Sequence, residues 1–80
     1  MTTAQTLTTV NSSMTTNQAS AAALLRSLRQ ARANLSSYSG SSAGVSTVLS
    51  AYLSAKSSAD TMLNTLAAQR AQAKSLVQQL

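Results

Sequence analysis

The apolar residues of this chain recur at alternating steps of three and four, in two runs separated by a polar interval. The first run is Leu7, Val10, Met14, Asn17, Ala21, Leu24, Leu28, Ala31 and Leu35, with Asn17 its one polar member. The second is Val45, Val48, Tyr52, Ala55, Ala59, Met62, Leu66, Gln69, Ala73, Leu76 and Leu80. Such a rhythm lines one face of a helix at the heptad period of supercoiled helices. The pattern therefore predicts an all-α fold: a two-helix antiparallel hairpin, coiled-coil-like, with Leu24, Leu28 and Leu35 closing against Val45, Val48 and Tyr52. Asn17 reads as a solvated position near a fraying helix end, with a register-setting buried amide as the alternative.

The polar interval is Ser36-Ser-Tyr-Ser-Gly-Ser-Ser-Ala-Gly44, which holds both glycines of the protein. Serine, glycine and Tyr38 are expected to break the helix here, and Gly40 or Gly44 can take positive φ, which costs glycine nothing sterically. One of the serines of the interval, or Ser46, is expected to cap the second helix. Tyr38 is either exposed there or a docking residue. Residues 1–16 are rich in threonine, whose branched side chain is restricted against the preceding helical turn. They are read as an arm that is helical, or that orders only against a partner. The expected layout is a single domain: arm 1–16, helix about 17–35, turn 36–44 and helix about 45–80.

The second helix carries a further apolar stripe beside its seam. Leu49, Leu53, Leu63, Ala67 and Val77 form it, interrupted by Lys56, Asp60, Arg70 and Lys74. One partner helix covers one seam. A second apolar stripe implies burial on a second side, and hence a neighbour. Leu7, Val10 and Met14 of the arm, with Leu49, Leu53, Leu63 and Val77, are the expected inter-subunit residues.

Composition sharpens this need for neighbours. Eighty residues make at most one domain, and a chain of this size is marginal alone. Much of its 44% hydrophobic content is alanine, which buries little area per residue. Charge is sparse but one-sided, with a net +5. Arg26, Arg29 and Arg32 form a basic surface on the first helix, off the Leu24–Leu28 seam. In a single chain that is a solvated face; in a polymer it would repeat along the array. Lys56 and Asp60, four apart, are expected to pair weakly.

Candidate chemistry is thin. Without cysteine or histidine the chain lacks a thiolate, the usual neutral-pH acid/base and the commonest metal ligands. Asp60 is the only acidic side chain, so paired-carboxylate catalysis and carboxylate metal sites lack their parts. Gly40 and Gly44 do not form a phosphate loop, which needs a following Lys-Ser or Lys-Thr. The expectation is no enzyme, no catalytic residue, no metal and no cofactor. No run approaches the ~20 apolar residues of a membrane span.

The helix–polar turn–helix layout, with the polar N-terminal run Thr2-Thr-Ala-Gln-Thr6 and a long C-terminal helix from Thr61, resembles the subunits of bacterial type III secretion needles and Hrp-type pili. A second resemblance rests on Tyr38-Ser39-Gly40, which stands at mid-chain where the WXG100 family of secreted hairpins has its Trp-x-Gly turn. The first resemblance implies a structural subunit that polymerises into a secreted filament or tube, with itself and a secretion apparatus as partners. It also implies export without a cleaved Sec leader, after a cytoplasmic stage. The alternatives are a heterodimer of WXG100 type and a basic coat protein on nucleic acid.

Overall fold

A computed structural model describes residues 1–80. Two helices make up the fold, α1 over Thr3–Ser37 and α2 over Ser42–Gln79. They pack against each other along a hairpin with extents of 59 × 16 × 15 Å. This is the all-α hairpin that the three-and-four rhythm predicts. A helix of about 35 residues spans roughly 52 Å at about 1.5 Å per residue, so the molecule is two straight helices side by side.

The N-terminal arm is not a separate element. Of the two readings of residues 1–16, helix or an arm ordered only by a partner, the structure has the helix: α1 begins at Thr3. Thr2 caps it: its hydroxyl accepts from the Gln5 backbone N–H, and the Gln5 side chain accepts from the Thr2 N–H. That reciprocal pair satisfies two donors the first turn would otherwise leave open. The threonines then use their hydroxyls inside the helix. Thr6, Thr8, Thr9 and Thr15 each donate to the carbonyl four residues back. Their propensity penalty is set against packing, because Val10 is buried and Leu7 and Met14 are half-buried within the hairpin. These three residues, expected against neighbouring chains, lie instead on the intrachain seam. The long α2 reaches far enough to cover them.

The turn is shorter than the expected 36–44. Ser36 and Ser37 extend α1, with the Ser37 hydroxyl donating to the Ala33 carbonyl, and Tyr38–Ser41 alone make the reversal. Tyr38 and Ser41 both have extended backbone, which ends one helix and starts the next. Ser41 is the cap of α2 and accepts from the Gly44 N–H. Neither glycine uses the positive φ open to it. Their role is space. The Tyr38 ring folds back over the turn and donates its hydroxyl to the Ser41 carbonyl at 3.0 Å. A methyl group on Gly40 or Gly44 would run into that hydroxyl. Tyr38 is therefore half-buried as part of the turn itself.

Along the seam every expected residue of α1, from Leu7 to Leu35, is buried or half-buried. On α2 the same holds from Val48 to Leu76. The two ends differ. Val45 is 41% exposed because α1 has stopped before its level, and Leu80 lies past the last turn of α2. Counting turns in opposite directions from the paired Asn17 and Gln69 sets Ala21 level with Leu66, Leu28 with Ala59, and Met14 with Ala73. In these three layers a large side chain faces alanine, whereas Leu24 falls level with Met62 and Leu35 with Tyr52, so Leu24 and Leu28 close against Met62 and Ala59 and not against the expected Val45 and Val48. Only Val10, Ala21, Ala59 and Leu66 are fully buried. The accessible surface is 5444 Å², against about 4,500 Å² for a compact monomer of this mass.

Candidate functional site

The seam and the 3-4 count assign every other position to a flank. Positions following the seam residues at Leu24, Ala31, Met62 and Gln69, namely Leu25, Arg32, Leu63 and Arg70, lie on one flank of their helices. In an antiparallel pair the equivalent flanks of both helices share one broad side of the hairpin. This first broad side holds Leu49, Leu53, Leu63, Ala67 and Val77, the stripe left over from the seam. Leu53 and Val77 are more than half exposed, and Leu49 and Leu63 only slightly less. Ala67 is exposed as well, and Leu25 extends the patch onto α1 at the level of Leu63.

The same side carries every charged side chain except Arg26. Arg29 and Arg32 come from α1, and Lys56, Asp60, Arg70 and Lys74 from α2. The basic residues Arg26, Arg29 and Arg32 are all exposed, but they do not form one row: Arg26 sits at the outer edge of α1. Lys56 Nζ donates to Asp60 Oδ2 at 3.0 Å, the single ion pair of the molecule. That hydrogen bond, and the charge behind it, hold the Lys56 ammonium above its ordinary range. Asp60 is thus already engaged, and the four other cations of this side face solvent without an acidic partner.

The second broad side has the opposite character. Its positions are filled by serine, threonine, alanine, glutamine and asparagine, with Gly44 at one end, and carry no charge and no apolar side chain larger than alanine. Several hydroxyls here are committed to carbonyls of their own helix, among them Thr6, Thr9, Ser37 and Thr65. Near its middle a shallow open depression of about 360 Å³ is lined by Ser12, Ser13, Thr16, Asn17 and Gln69.

At the floor of that depression Asn17 Nδ2 donates to Gln69 Oε1 at 2.9 Å across the seam. Asn17 is therefore a half-buried amide in a matched polar layer, not a solvated position at a fraying end. The helix continues well before it, so there is no end there to fray. The seam counts contained both residues, but not that they meet. Their level depends on the length of the turn, which sequence reasoning overestimated. No helix is long and apolar enough to cross a membrane. Comparison with protein-family models, with curated proteins and with solved structures gave no match.

Proposed function

We propose that this chain is a structural subunit that assembles with copies of itself, by helix packing, into a helical filament or tube. The observation that supports this reading most is the first broad side. Leu49, Leu53, Leu63 and Val77 stand exposed on a molecule with only four buried residues. Taking a leucine side chain from full exposure to full burial is worth roughly 1.5–3 kcal/mol, and these side chains are about half exposed, so each adds about half of that and a row repeated in every copy sums to a drive to associate. The hairpin's elongated shape also favours many weak lateral contacts over one compact interface. Export from the cell belongs to the same proposal and rests on the resemblance to needle and pilus subunits.

The test is negative-stain electron microscopy of the purified protein, with and without nuclease. Uniform filaments that survive nuclease are the expected result. Leu63→Asp or Leu53→Asp should abolish them while leaving soluble, helical protein; normal filaments from both variants would overturn the proposal. A second reading, a basic coat on nucleic acid, draws on the exposed and unpaired Arg29, Arg32 and Arg70. It requires filaments that disappear on nuclease treatment and binding that weakens steeply with salt.

A further inference from the structure

The two broad sides differ in a way that restricts how copies can meet. A contact between two first sides would bring Arg29, Arg32, Arg70 and Lys74 of one copy against the same cations of another. The only acidic side chain, Asp60, is spent on Lys56, so no second carboxylate side chain exists to offset that repulsion. Buried or half-buried charges without partners are costly, and like charges across an interface oppose association. The uncharged second side presents no such conflict. Its back-bonded threonine hydroxyls have already placed their protons, so covering them leaves fewer unsatisfied donors. Long cationic side chains lying on a ribbon 16 Å wide can extend their heads past its edge into water while their stems stay covered. A side of 59 × 16 Å also exceeds the roughly 800 Å² per partner that a stable interface takes.

We infer, building on the self-assembly proposed above, that the apolar cationic side of one copy docks on the uncharged Ser/Thr/Ala side of the next. The partner of this surface is a second copy of the chain in a heterologous contact. Two different patches then meet at every interface, each copy keeps one free side of each kind, and growth continues instead of stopping at a closed dimer.

The experiment uses two blocked full-length chains. One carries Leu53→Asp with Leu63→Asp on the first side. The other carries Ala23→Arg with Ala68→Arg on the second side, at exposed positions where arginine keeps helix propensity. Far-UV circular dichroism confirms that each is helical. Each alone should sediment as a single chain, and an equimolar mixture should give a discrete species of two chains, one open side meeting the other. If the wild type polymerises and the Ala23→Arg/Ala68→Arg chain polymerises equally well, the heterologous contact is wrong while self-assembly stands. Two blocked chains that never combine, alongside a polymerising wild type, would overturn it also. If the wild type itself stays single at high concentration, self-assembly and this contact fall together.

Discussion

Leu63 and Leu66 sit one turn apart on α2, and each belongs to a run with the same alternating rhythm. Leu66 is 7% exposed and Leu63 is 44% exposed. The residues are chemically identical and their local helical environments are alike. What separates them is the single fact that α1 lies over one run and nothing within the chain lies over the other. Apolar periodicity states that a face is suited to burial; the number of partner elements states whether it is buried. In a two-helix protein the second quantity runs out first.

The largest expected effect breaks this contrast by truncation. Leu66→Ala should cost the hairpin about 2–4 kcal/mol, because a core position opens opposite Ala21 with nothing to refill it. In a chain of marginal stability that is enough to unfold much of the population. Leu63→Ala should lie within about 0.5 kcal/mol of the parent in the isolated chain. Its penalty should appear only where copies associate. Thermal unfolding of both variants at low concentration checks the pair, and equal losses would show that the flank is buried in the monomer.

A smaller effect sharpens the definition of the seam. Asn17→Ala should cost about 1 kcal/mol by leaving Gln69 without its cross-helix partner. Replacing both, Asn17→Leu with Gln69→Leu, should stabilise the hairpin and at the same time loosen its register, since one polar layer no longer penalises a slip. Urea midpoints report the first outcome. Doubled amide resonances in the doubly substituted chain report the second.

The smallest effect belongs to the flank. Lys56 is raised by its hydrogen bond and charge interaction with Asp60. A raised ammonium binds its proton more tightly in the folded chain, so the pair's contribution is complete below the ordinary lysine range. It is lost only as pH rises through the elevated value. Helicity followed from pH 7 to 9 should therefore be flat as far as this pair is concerned, with a slight decline confined to more alkaline solution. Asp60→Asn should remove that alkaline component. A change centred near neutrality would contradict the assignment.

Much of this architecture is legible in the order of residues. The seam from Leu7 to Leu35 and from Val48 to Leu76 follows from counting threes and fours, because a helix has one period and a buried face must keep it. The exposed stripe from Leu49 to Val77 follows from the same count. Ser41 is one of the interval's serines expected to cap α2, and it does so three residues before Gly44. The Thr2-x-x-Gln5 capping box that starts α1 is the local signal that threonine's weak propensity obscured. Threonine's weak helix propensity left residues 1–16 open between helix and partner-dependent order, and helix wins because Val10 has a long α2 to pack against.

What sequence alone determined is therefore the pair of helices, the faces they bury, the leftover apolar stripe and the scarcity of acidic side chains. These are properties of periodicity and composition, and they need no third dimension. The tertiary structure decided the register. A turn of four residues, closed by the Tyr38 ring over Gly40 and Gly44, sets Asn17 against Gln69 and Ala21 level with Leu66. It also gathers the charges and spare leucines of both helices onto one broad side and leaves the other uncharged. Each helix carries only half of that asymmetry, and the halves combine because an antiparallel pair brings equivalent flanks together.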